Sequence, residues 1–340
     1  IQLGESMSRI SNIYYKLNVL VLITLIYFAN TAVAVPSAWE AQFPKTDFSK
    51  TTINFEEIVS GRPPRDGIPS IDQPKFSSLA ITKLDHEENW NSPVVSLYHN
   101  NEFKIYPLSI LMWHEIVNDT IDGFPITVTY CPLCNTSIVF KRKFDNVILD
   151  FGTTGKLRHS DLIMYDRQTE TWWQQFSGKG LIGKYAGQQL DIVASRLESL
   201  KSSLDRAKKL NIEPLILDTT LNRSYGKNPY AKYDSSSFPF LYKGDYNLNI
   251  APMEYVVYFA DHAITLNHLK ENKEIIMDNY IINWSAGMSS ALDTPIITLG
   301  RDIGQVIVQQ KQDVNLIDIP YTLTFAFALN AFRPDIKIIF

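Results

Sequence analysis

From Phe76 onward the chain is cut into short runs of β-branched and aromatic residues by turn-forming groups, and this pattern restricts it to a β-rich fold. Residues 93–98 and 102–106 flank His99-Asn100-Asn101 and read as a hairpin. Pro107 opens a predicted helix over 108–117. Strands are predicted at 124–130, 137–144, 147–151 and 162–165, the third closing in a turn at Gly152-Thr153-Thr154-Gly155. A second helix is predicted over 197–210, where Leu197, Leu200, Leu204, Ala207 and Leu210 share one face. Residues 222–242 read as loop, 254–260 as strand, and 262–319 give mixed signals. Residues 321–330 are apolar throughout, and periodicity does not separate helix from strand there. The expected class is α+β and β-rich: antiparallel sheets or a partly open barrel, with a few helices.

The domain plan follows from composition. Residues 35–75 are rich in Pro, Asp and Ser and predict an extended, Pro-rich arm wrapping the surface, with Asp66 and Asp72 as the polar groups of an alternative ligand loop. Residues 76–340 form the β-rich domain, with a sign of two related halves dividing near 245. In the first, Gly183 and Gly187 precede Leu190-Asp191-Ile192, a helix and Glu213-Pro214. In the second, Gly300 and Gly304 precede Val306-Ile307-Val308, an apolar segment and Arg333-Pro334-Asp335.

The first methionine is Met7, so residues 1–6 read as upstream sequence. Arg9 and Lys16, the apolar run 17–29 and Ala32-Val33-Ala34 before Val35-Pro36 predict a cleaved export signal within residues 1–34. The expected location is periplasmic or extracellular. The alternative is an uncleaved anchor over 17–34, which would then be the membrane contact. A net charge of -4 without a basic block gives no electrostatic case for nucleic acid.

The only two cysteines are Cys131 and Cys134, in Tyr130-Cys131-Pro132-Leu133-Cys134-Asn135, between two predicted strands. A thioredoxin-like pair would open a helix, whose dipole lowers the first thiol's pKa; β-rich sequence follows here instead. Three readings remain: a redox dithiol attacking disulfide or peroxide, a soft-metal pair, or a disulfide pinning the hairpin. So small a loop removes little chain entropy, which weakens the third. His114 is the candidate third catalytic group, able to activate a thiol. For a metal centre the candidates are Cys131, Cys134, His114, His159 and Met164: copper with Met164 included, zinc without it. The expected function is thus an exported thiol oxidoreductase with a redox partner or small molecule as substrate. The alternatives are a copper- or zinc-binding protein, or a non-catalytic scaffold using the aromatic loops 225–246. Asp166 and Arg167 are expected to pair at a strand end, and Trp172 and Trp173 to be core. No GxSxG elbow, Gly-Lys-Thr loop or HExxH occurs.

Trp113-His114-Glu115-Ile116-Val117-Asn118-Asp119, the cysteine run, Ser160-Asp161-Leu162-Ile163-Met164-Tyr165-Asp166-Arg167, Asp66-Gly67-Ile68-Pro69 and Asn228-Pro229-Tyr230 together resemble the bacterial and archaeal family called domain of unknown function 3179. The resemblance runs from Phe55 to the C-terminus and is strongest up to Tyr242. The family favours Trp near its end, where this chain has Phe325-Ala326-Phe327-Ala328-Leu329-Asn330. Some members are recorded as selenoproteins, which implies redox chemistry at Cys131 or Cys134.

Overall fold

Residues 35–78, 89–219 and 221–340 are described by a computed structural model, so the predicted export segment lies outside them. Among the described residues no helix is long and apolar enough to cross a membrane. The arm carries helix α1 (Ser37–Gln42) and strands β1 (Ile58–Ser60) and β2 (Lys75–Ser77). It is ordered by the body it crosses: Gly61 N–H donates to Gly155 O at 2.9 Å, and Ile71 N–H to Ile116 O at 2.9 Å. Gly155 sits at φ 69°, and a Cβ there would stand 2.0 Å from Pro63 O, so only glycine lets the arm pass.

The expected hairpin forms as β3 (Pro93–His99) and β4 (Glu102–Pro107). Pro107 then leads into α2 (Leu108–His114), which stops short of the expected end at 117. Glu115 adopts the left-handed conformation (φ 58°) and closes the helix with its N–H on Leu111 O at 2.7 Å. Ile116 therefore starts β5 (Ile116–Ile121), which pairs with β6 (Phe124–Cys131), which pairs in turn with β7 (Thr136–Lys141). Buried residues point from both faces of β6 and β7, so this sheet is covered on both sides.

A segment inserted after β7 builds a second layer. It contains the small hairpin β8 (Lys143–Phe144) and β9 (Val147–Ile148), then β10 (Phe151–Arg158), β11 (Asp161–Asp166), β12 (Trp172–Gln174) and β13 (Gly180–Ile182). The sheet order is β1-β10-β11-β12-β13, so the arm supplies its edge. The predicted turn at Gly152–Gly155 is instead part of β10, where a bulge between Thr153 and Lys156 uses the glycine backbone.

The chain then returns to the first layer with β14 (Ile192–Val193), β15 (Arg196–Ser199), α3 (Leu200–Lys209) and β16 (Leu215–Asp218). The helix predicted from 197 begins only at Leu200, because Leu197 to Ser199 pair with β3 and Ser199 caps the helix. The second half follows as β17 (Tyr255–Phe259), β18 (His262–Thr265), α4 (Leu266–Asn272), β19 (Glu274–Met277), β20 (Tyr280–Ser285), β21 (Gln305–Gln312), β22 (Asn315–Asp318), β23 (Tyr321–Phe325), α5 (Ala326–Phe332) and β24 (Ile338–Ile339). The ambiguous run 321–330 is thus both strand and helix.

The two halves repeat one topology. Sheet β15-β3-β4-β16 is matched by β23-β17-β18-β24, and β14-β7-β6-β5 by β22-β21-β20-β19. In each half the last strand joins parallel to the hairpin's second strand, β16 on β4 and β24 on β18. Glu213-Pro214 and Arg333-Pro334-Asp335 occupy the same place, between helix and parallel strand. Val306 to Val308, however, lie in β21, the counterpart of β7 rather than of β14. One apolar core spans both halves, with a smaller cluster of Val94, Phe103, Ile105, Leu200, Ala207 and Ile216 under α3.

Candidate functional site

The cysteine turn joins β6 to β7. Cys131 pairs with Thr136 across it, Asn135 takes a positive φ of 51°, and Asn135 N–H reaches Pro132 O at 3.2 Å. Gln175 braces the flanking strands, accepting from Thr136 Oγ1 at 2.7 Å and donating to Thr129 Oγ1 at 2.8 Å. The second half fastens the tip. Thr324 Oγ1 donates to Cys134 O at 2.9 Å, Phe325 N–H reaches the same oxygen at 3.3 Å, and Asn135 Nδ2 donates to Leu323 O at 3.2 Å.

Both cysteines are free thiols and buried, with Cys131 2 % and Cys134 0 % exposed. Cys131 Sγ lies 3.7 Å from Ser160 O. Asp161 is the first residue of β11, after a turn in which His159 and Ser160 both have positive φ. The ligand atoms of Cys131, Cys134 and Asp161 all lie within 4.8 Å of one another. Asp161 Oδ2 accepts from Gln174 Nε2 at 2.6 Å and from Phe176 N–H at 2.8 Å, which fixes the carboxyl. Its Oδ1 is buried with no nitrogen or oxygen donor, and only the Cys131 and Cys134 thiols hydrogen-bond the carboxyl from that side.

Glu115 is the fourth acid. The left-handed turn that ends α2 places it there, and its carbonyl accepts from Tyr130 N–H at 2.8 Å on the cysteine strand. Burial, reinforced by the charge of Asp161, pushes the Glu115 carboxyl up to about 8. Burial raises Asp161 to about 6 against the pull of its hydrogen bonds with Gln174, Phe176 and the two thiols. Burial also pushes the Cys131 thiol up and the Cys134 thiol well up, the latter further because it shares a hydrogen bond with Cys131. No cation offsets these shifts, so burial in one low-dielectric pocket raises all four acids above their ordinary values. A cavity of about 120 Å³ opens beside them, lined by Cys131, Glu115, Lys156 and Tyr230 among others, but not by Cys134.

The structure brings Cys131 and Cys134 together with Asp161, and it does not bring His114, His159 or Met164 to them. His114 has both ring nitrogens engaged, Nδ1 with Pro69 O at 2.7 Å and Nε2 with Tyr225 OH at 2.8 Å, and burial lowers its pKa. His159 lies 3.5 Å from Glu57 and packs on Tyr242 and Phe332. Met164 is fully buried in the apolar core, opposite Thr153 and Trp173. Asp166 and Arg167 do not pair with one another. Asp166 holds Thr169 and the Trp173 indole, while Arg167 reaches Asp72 at 2.5 Å. Asp66 takes the Tyr165 hydroxyl at 2.5 Å, so both arm carboxylates serve the wrap. Trp172 and Trp173 are core. Sequence reasoning gave Asp161 no role, although a charged residue heading the apolar run Leu162 to Tyr165 was the available signal.

The model of one family, described as "Protein of unknown function (DUF3179)", matches residues 65–336. The chain belongs to this family. The match takes in the cysteine turn, Glu115, Asp161 and both topological repeats. No characterised protein and no solved structure is detectably similar to the chain.

Proposed function

We propose that this DUF3179 protein binds a zinc ion through Cys131 Sγ, Cys134 Sγ and Asp161 Oδ1, with the fourth position open toward the adjoining cavity. The observation that carries the reading is the buried Asp161 carboxylate, one oxygen of which lies within 4.8 Å of both sulfurs, and whose Oδ1 finds no donor but the two thiols. Three protein ligands with one open position is the pattern of zinc sites that act on a substrate. A carboxylate oxygen in place of the expected Met164 favours zinc over Cu(I), which prefers sulfur alone. Electrostatics points the same way: a divalent cation would stabilise the anionic forms that burial now opposes. The leader pattern of residues 1–34 makes export part of the proposal.

The test is metal analysis of protein purified without chelator. One zinc per chain is expected, lost in Cys131→Ser, Cys134→Ser and Asp161→Asn. Wild-type protein that carries no metal and takes up none from a zinc buffer refutes the reading.

A second reading, dithiol redox chemistry, draws on one observation: Cys131 lines the cavity and Cys134 does not. Cys131 would attack a substrate disulfide, forming a mixed disulfide and releasing one thiolate. Cys134 would then attack Cys131 Sγ and release the second, leaving the pair oxidised and the substrate reduced, with Asp161 taking the Cys134 proton. The raised thiol pKa values count against a fast first step. Metal-free protein whose pair cycles with a dithiol reductant, at a rate lost in Cys131→Ser, would favour this reading.

A further inference from the structure

The cavity beside Cys131 is mostly apolar, walled by side chains such as Ile68, Leu157 and Leu162. Beside Cys131, four polar residues interrupt that wall: Glu115, Thr153, Lys156 and Tyr230, of which Thr153 already donates its hydroxyl to Ile68 O at 2.8 Å. Lys156 is 6 % exposed, and its ammonium has no hydrogen bond or ion pair among the described residues; burial alone acts on it. The Tyr230 hydroxyl donates to no described residue either, and it lies close enough to Glu115 and Cys131 to feel their charge. A cation on a side chain this enclosed has no counter-ion, the neighbouring hydroxyl has no acceptor, and both residues line a cavity whose other walls are mostly apolar, which calls for a ligand. Both are donors, so the ligand must bring acceptors. One cation implies one negative charge, and the apolar walls imply an alkyl portion. The volume of about 120 Å³ admits a molecule of a few heavy atoms.

We propose that this chamber binds a short-chain monocarboxylate, its carboxylate on the Lys156 ammonium and the Tyr230 hydroxyl and its alkyl tail along Ile68, Leu157 and Leu162. The inference rests on the zinc reading in one respect: the same chamber is the open side of that site. A tetrahedral dianion fits less well, because a single ammonium leaves its second charge unpaired against apolar walls.

The test is calorimetric titration of propionate into the full chain, with zinc content measured on the same samples. Propionate is expected to bind. Lys156→Met weakens it about tenfold or more, as loss of a charged hydrogen bond requires, and Tyr230→Phe about fivefold. Zinc content is unchanged in both variants, which shows that the centre is still formed, and inorganic phosphate binds at least about tenfold more weakly than propionate. Failure of wild-type protein to bind propionate, binding unaltered in both variants, or phosphate binding as tightly overturns the proposal. The two readings separate cleanly. Zinc without propionate binding sinks this inference alone. Propionate binding that depends on Lys156 in zinc-free protein sinks the zinc reading and leaves this one standing.

Discussion

Glu115→Gln tests whether the centre is a set of buried acids built to receive a cation. In the metal-free protein the Glu115 carboxyl is raised from 4.5 to about 8, first by burial and then by Asp161. A gap of about 3.5 pK units at roughly 1.4 kcal/mol each sets a ceiling of about 5 kcal/mol. Water entry and local relaxation reduce this, so roughly 2–5 kcal/mol is expected. The folded protein holds this proton more tightly than the unfolded chain. Its contribution is therefore fully present below the unfolded value of 4.5 and is lost as pH rises through about 8. Gln keeps the shape and cannot ionise. The assay is urea unfolding followed by tryptophan fluorescence, in chelator, at a series of pH values across that interval. The difference in stability between variant and wild type should be near zero at the acid end and should grow with pH to the stated magnitude in favour of Gln. Parallel pH profiles would refute the reasoning, since they would mean that Glu115 ionises in the native state as easily as in the unfolded one.

Three further outcomes follow from the same geometry. Asp161→Asn should lower zinc affinity by at least about 100-fold in a competitive chelator titration, because it removes the charge that faces both sulfurs while keeping the Gln174 contact. Zinc affinity in the wild type should rise with pH, with proton release on binding detectable by calorimetry in buffers of different ionisation enthalpy, because Asp161 is raised to about 6 and both thiols are raised as well. Thr324→Val should cost about 1 kcal/mol by removing the 2.9 Å bond to Cys134 O, and should speed alkylation of the thiols by iodoacetamide in the metal-free protein.

The β3–β4 hairpin and the β6–β7 pair were legible because their turns are local and their residues are β-branched or aromatic. The end of α2 was not: Glu115 terminates it in a left-handed conformation that glycine or asparagine would have signalled and glutamate does not. Gly152 and Gly155 read as a turn because glycine marks both turns and bulges, and the arm that crosses Gly155 is remote in sequence. Both cysteines were legible as a candidate site from spacing alone. Asp161 was not, because it reaches them from the inserted sheet, and only tertiary structure brings it there. His114 drew attention as a ligand type, while its partners Pro69 and Tyr225 lie far off in the chain.

The repeated topology bears on how the sulfur turn is held in place. The turn belongs to the first copy, but β23, the strand that grips it through Thr324, Phe325 and Leu323, belongs to the second. The second copy carries no cysteine of its own. Neither copy holds the whole arrangement: one has the sulfur atoms without their clasp, the other the clasp without the atoms. Tethering the two in a single polypeptide makes that embrace intramolecular, so the centre assembles at any dilution and never waits for a partner to arrive.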